Sequence, residues 1–109
     1  MVDESIERSV KTYLIKLEEA GCKECIAVVF GSQISGNADS WSDIDLLVVS
    51  PMFDREIKRS DINLLWRIAA ETDSRIEPVP VGALQYATDD GNAIIEIARR
   101  SGHIIKPAA

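Results

Sequence analysis

The chain is poor in the residues that build thiolate, imidazole and basic sites. Among 109 residues it has two cysteines, one histidine, and 12 lysines and arginines against 18 acids. Cys22 and Cys25 form a Cys-x-x-Cys, but zinc would need two more ligands, and the single histidine, His103, lies far along the chain. A redox pair normally opens a helix, whereas this one precedes an apparent strand, so plain packing is the expected role. The net charge of -6 argues against non-specific nucleic-acid binding, which needs a basic footprint. It leaves nucleotides open, because metal ions can screen their phosphates. No apolar run approaches the ~20 residues that span a bilayer. The acidic, amphipathic start "MVDESIERSVKTYL" does not read as a signal peptide, so a cytoplasmic location is expected. There is no internal repeat, low-complexity tract or linker.

What remains is globular: 46% hydrophobic and 28% charged residues, at a length that suits a single domain over residues 1–109. Ile6, Val10, Tyr13, Leu14 and Leu17 recur at helical spacing and predict a helix over residues 3–19, capped by Asp3 and ended by Gly21. "CIAVVF" (25–30) and "DIDLLVVS" (43–50) read as strands, the second stopped by Pro51. "GSQISGNADSWS" between them reads as a loop. A second helix is expected over 54–72 with Asp54 as its cap, then an extended segment over 74–81. A last helix starts at Thr88 or Asp89, and "HIIK" (103–106) adds a short strand. Such alternation implies an α/β (α+β) fold, a small mixed sheet with helices packed on it. Pro78 and Pro80 share parity, so both missing N–H donors fall on one side of their strand, which places that strand at a sheet edge.

The chemistry concentrates in residues 30–49. Asp43 and Asp45 alternate onto one strand face, about 6.5 Å apart, in a segment that otherwise buries Leu and Val. Two carboxylates so held repel each other and call for a cation, a hard divalent ion with oxygen ligands. Glu77 joins them if the third strand lies beside the second. Three such carboxylates suit one or two metal ions and in-line displacement at phosphorus. Gly31-Ser32, after a strand, offers close backbone approach and free N–H groups to a phosphate. Asp-x-Asp alone could be a solubility device on an edge strand, but "DIDLLVV" is too apolar for an exposed edge.

Gly31-Ser32, ten residues, then Asp43-x-Asp45 resembles the motif of the DNA polymerase beta-like nucleotidyltransferase superfamily, and the short chain resembles its minimal nucleotidyltransferase (MNT) branch. The resemblance implies the nucleotidyltransferase fold and MgATP-dependent transfer of a nucleotide, usually AMP, to a hydroxyl with release of pyrophosphate. It assigns Asp43, Asp45 and Glu77 to two Mg2+ ions, Glu77 also to activation of the attacking hydroxyl, and Gly31 and Ser32 to the triphosphate tail of ATP. One departure is Ser35, where many relatives carry Arg or Lys; Arg75 or Lys58 could supply that cation. Many MNT proteins are antitoxins paired with a HEPN-domain toxin, an RNase silenced by adenylylation of a tyrosine. The resemblance therefore implies a HEPN-domain toxin as partner. Larger relatives carry a second domain for an antibiotic or nucleic acid, and its absence favours a protein substrate. Two other readings stay open: an inactive antitoxin acting by contact, and a transferase for a small molecule such as an aminoglycoside. A homodimer is also left open.

Of the remaining residues, Trp41 could stack on a base, seat a partner or cover the core edge. Trp66 is expected to pack in the core, Arg99-Arg100 to complement a helix dipole, and His103 to be a turn or strand residue and not a base.

Overall fold

The computed structural model describes residues 2–31 and 42–107. Ser32, Ser35 and Trp41 lie outside these. Helix α1 (Glu4–Glu19) begins at Asp3, whose Oδ1 accepts the Ser5 N–H at 2.8 Å. It ends in a Schellman turn: the Cys22 N–H donates to the Leu17 carbonyl at 2.9 Å and the Gly21 N–H to that of Glu18 at 3.1 Å, with Gly21 at φ +105°. Then follow β1 (Ile26–Phe30), β2 (Ile44–Ser50), a 3-10 turn (Pro51–Asp54), α2 (Arg59–Thr72), β3 (Ile76–Gly82), α3 (Ala83–Thr88), α4 (Ala93–Ser101) and β4 (His103–Ile105). The strands form one mixed sheet in the order β3-β2-β1-β4. Strand β1 pairs antiparallel with both β2 and β4, whereas β2 and β3 run parallel, joined by the α2 crossover.

Both faces of the sheet are covered. Helices α1 and α2 bury Tyr13, Leu14, Leu17 and Leu65 against Ala27, Val29, Ile44, Leu46, Val48 and Ile76. On the other face Ile95 and Ala98 of α4 cover Val28, Leu47, Val49 and Val81. That double burial explains why β2 reads as a nearly unbroken apolar run. The Tyr13 hydroxyl, whose pKa burial raises, donates to the Leu65 carbonyl at 2.9 Å and ties α1 to α2. No helix among the described residues is long and apolar enough to cross a membrane.

Four expectations need correction. Helix α2 starts at Arg59, not at residue 54. Residues 55–58 are not helical, and the Lys58 N–H donates to Asp61 Oδ2 at 2.9 Å to open the helix. Asp54 instead caps α3, accepting the Leu84 N–H at 3.0 Å and the Gln85 N–H at 3.2 Å. Helix α3 itself had no sequence signal: it is six residues long and buries none of them. The last helix starts only after Asn92, whose Oδ1 accepts the Ile94 N–H at 2.9 Å. Trp66 is 47% exposed, because Leu65, Ile68 and Ala69 carry the buried stripe of α2. Cys22 and Cys25 do pack in the core, but joined as a disulfide. The turn after α1, with Glu24 in the left-handed region at φ 54°, brings their Cα atoms to 6.4 Å, within bridging range.

Candidate functional site

The site lies where β1 ends and β2 and β3 begin. Parallel pairing sets Asp45 opposite Glu77, and antiparallel pairing sets Asp45 opposite Phe30. In-register neighbours share a face, so Asp45 has Glu77 on one side and the half-buried Phe30 on the other. Asp43 lies two residues before Asp45 at the mouth of β2. It lies close enough to Glu77 for the two carboxyls to interact directly. The structure thus brings Asp43, Asp45 and Glu77 together.

Their electrostatics show the cost of the arrangement. The hydrogen bond to Asp43 raises the Glu77 pKa above the ordinary carboxylate range, and burial and the charges of Asp43 and Asp45 add to the shift. Burial first, and then Asp43, raises that of Asp45. Crowding of this kind is relieved by a cation or a proton. Among the described residues no group of three or more Asp, Glu, His or Cys side chains is gathered closely enough to hold a metal ion as it stands. The donor chemistry still fits one, since three mutually repelling carboxylates are the oxygen ligands a hard divalent ion takes.

Gly31 is specified by the same cluster. Its φ of +79° is one that side chains rarely adopt, and a Cβ there would run into the Asp45 carboxylate. Gly31→Ala should cost about 1–2 kcal/mol of stability from the backbone. Because the colliding atom is the mobile end of Asp45, the larger effect should fall on function: Asp45 must swing out of register with Glu77. A urea titration and a nucleotide-transfer assay on the same preparation separate the two effects. Activity should fall well beyond what the lost stability explains.

The support for β3 had no recognisable sequence signal. Arg75 precedes Glu77 by two residues and clamps Asp73 with two bonds, Nε to Oδ1 at 3.0 Å and Nη2 to Oδ2 at 2.8 Å. The Arg75 carbonyl accepts the Ile44 N–H at 2.7 Å, the first rung between β2 and β3. Arg75 therefore serves the register of the site and is occupied by Asp73. Lys58 stands at the far end of the β2–α2–β3 crossover, away from the carboxylates. The bonds from Arg75 hold the Asp73 carboxyl below its usual range. The stabilisation is thus present above the unfolded value near 3.9 and is lost as pH falls through the lower folded value. Asp73→Asn should cost about 1 kcal/mol at pH 7, and its urea midpoint should approach that of the wild type as the solution is acidified below pH 4.

Other polar residues have structural partners. Arg99 donates to the carbonyls of Tyr86 at 3.1 Å and Asp89 at 2.7 Å, fixing the α3–α4 connection, and Arg100 pairs with Glu96 at 2.6 Å. His103, in β4, contacts Glu7 of α1 at 3.0 Å.

Comparisons with known proteins bear on the fold and the family. No curated protein matches the chain. A toxin–antitoxin crystal structure with AMP-PNP matches over 90% of this chain and 73% of that one, with 18% identity and a TM-score of 0.59. The complex of a tri-AMPylated Shewanella oneidensis HEPN toxin with its MNT antitoxin matches over 94% and 73%, with 16% identity and a TM-score of 0.54. At these identities the likeness is one of fold. The family model described as "Nucleotidyltransferase domain" matches residues 15–96, which span β1, β2, β3 and the acidic cluster they hold. On that match, the chain belongs to the nucleotidyltransferase domain family.

Proposed function

We propose that residues 1–109 act as one minimal nucleotidyltransferase that moves AMP from ATP to a hydroxyl on a partner protein, as the antitoxin of a HEPN-domain toxin. The observation that carries this reading is the register of Asp45 opposite Glu77 at the mouth of β2, where Asp43 also stands. Family membership supports the transferase class. The fold shared with an MNT antitoxin bound to an AMPylated HEPN toxin supports the partner.

In the transfer, the acceptor oxygen attacks the α-phosphorus of ATP, the bond to pyrophosphate breaks, and the hydroxyl proton goes to a carboxylate. Glu77, with its raised proton affinity, is suited to take that proton. Asp43, Asp45 and Glu77 would hold magnesium, which neutralises the triphosphate and the leaving pyrophosphate when bound. Gly31 and Ser32 would receive the phosphate tail. Phe30, beside Asp45, keeps water from one flank of the carboxylates.

The test is incubation with α-labelled ATP, magnesium and the HEPN-domain protein of the same genome. Label should appear on that protein and vanish with Asp43→Asn/Asp45→Asn. A tight complex that never takes label, with wild type or variant, would leave an antitoxin acting by contact and overturn the enzyme.

A further inference from the structure

Helix α2 carries a face that the fold does not use. Ile62 is 39% exposed and Trp66 47% exposed, one turn apart. Arg59, Asn63 and Ala70 continue the same stripe at helical spacing, all exposed, and Arg67 stands on its outer flank. An exposed tryptophan beside isoleucine, with arginine at the rim, is the composition of an interface core and not of a solvated helix face. The ion pairs among the described residues engage Arg75, Arg99, Arg100 and His103; Arg59 and Arg67 are in none of them. This holds in a chain with six more acids than bases.

We infer that this face of α2 is the docking surface for the protein acceptor, and that the acceptor meets it with an apolar patch flanked by carboxylates. The inference rests on the proposed function in requiring a protein acceptor. The charge selects the occupant. The stripe itself carries no carboxylate, so a second copy placed face to face would not offer its arginines the paired carboxylates they suit. A nucleic acid would meet an apolar centre on an acidic protein. Two forked guanidiniums beside a tryptophan suit paired carboxylates on a protein surface. The face lies on the α1/α2 side of the sheet, while Asp45 and Glu77 share the parity of Leu47, Val49 and Val81 on the other side. Docking there leaves the carboxylates open to ATP.

The test measures binding of the HEPN-domain protein of the same genome to five forms of the chain by biolayer interferometry. The forms are wild type, Trp66→Ala, Arg59→Glu/Arg67→Glu, Ile97→Ala and the transfer-dead Asp43→Asn/Asp45→Asn. Ile97, 51% exposed on α4, controls for loss of any exposed apolar side chain. Trp66→Ala should weaken binding about 30-fold or more with its melting temperature unchanged. The charge reversal should slow association and remove its salt dependence. Ile97→Ala and the transfer-dead form should bind within about twofold of wild type, below the change a hot-spot residue makes. The proposal is overturned if Trp66→Ala keeps wild-type affinity, or if Ile97→Ala carries the loss. It is equally overturned if light scattering shows a wild-type dimer that Trp66→Ala dissolves. Loss of transfer without loss of binding in Asp43→Asn/Asp45→Asn separates this surface from the catalytic reading: either can fail while the other stands.

Discussion

Asp45→Asn should lower nucleotide transfer by about three orders of magnitude while leaving the protein as stable as the wild type or more so. The two effects have one cause. Asp45 is held half-buried between Phe30 and Glu77, with Asp43 two residues away, and both burial and Asp43 raise its pKa. A raised carboxyl pKa means the charged form is disfavoured in the folded state, so the native protein carries this carboxylate at a cost. Asparagine keeps the shape and removes the charge, so the repulsion disappears. The same removal takes away a proposed metal ligand, and a ligand that contributes several kcal/mol of charge stabilisation in the transition state is worth about 10³ in rate. The sign can be checked by pH: the stability advantage of Asp45→Asn should be larger at the neutral end of the range than at the acid end. It should shrink as acid protonates the wild-type group at its raised pKa. Urea denaturation across pH 4–8, paired with labelled-ATP transfer, reads both effects. A variant that loses stability at pH 7 would show that Asp45 is held by favourable contacts and not by function.

Gly102→Ala should have the largest effect on folding, about 2–3 kcal/mol of lost stability. Gly102 joins α4 to β4, and its N–H donates to the Ala98 carbonyl at 2.8 Å. A Cβ at this position would overlap that carbonyl oxygen and the Val28 side chain, and would press on the Val29 carbonyl. Two of those three atoms are backbone, so no rotamer change relieves the contact. Either α4 lifts from the sheet, opening the cluster of Val28, Leu47, Val49 and Ile95, or β4 loses its register with β1. A 109-residue domain has roughly 5–15 kcal/mol to lose, so the fall is a large fraction of the whole. Urea unfolding should show a lower midpoint with an unchanged slope. The contrast with Gly31→Ala is the point of the pair: there the obstruction is a mobile carboxylate and the loss is mainly functional.

The sequence was most legible where one local rule decided the outcome. Asp3 before an apolar-periodic run marks the start of α1, and the prolines at 78 and 80 mark β3 as an edge strand. The parity of Asp43 and Asp45 is fixed by the pleat alone. What the sequence could not contain is register: nothing in residues 43–77 states that Glu77 faces Asp45 and not a neighbour one rung away. The rung from Ile44 to Arg75 and the clamp on Asp73 set it, and both are tertiary. The misplaced start of α2 has the same origin. Asp54 has the right chemistry for a cap, but the helix it caps is α3, thirty residues on. Trp66 failed for a different reason. Periodicity identifies a buried stripe but not its width, and a tryptophan next to Leu65 falls just outside it.

The prolines of β3 have one more consequence. Odd-numbered residues of this strand turn their amides toward β2, as the Arg75 rung shows, so even-numbered ones turn outward. Of the four outward positions, Pro78 and Pro80 have no amide hydrogen, Ile76 spends its own on the Asp73 carbonyl at 3.0 Å, and Gly82 is turned to Gln85 at 3.5 Å. The rim beside the acidic cluster therefore offers an incoming peptide chain carbonyl acceptors but no free amide hydrogen. A strand zipping onto this rim could form only half of its ladder bonds, which makes the edge a poor template for fibril growth.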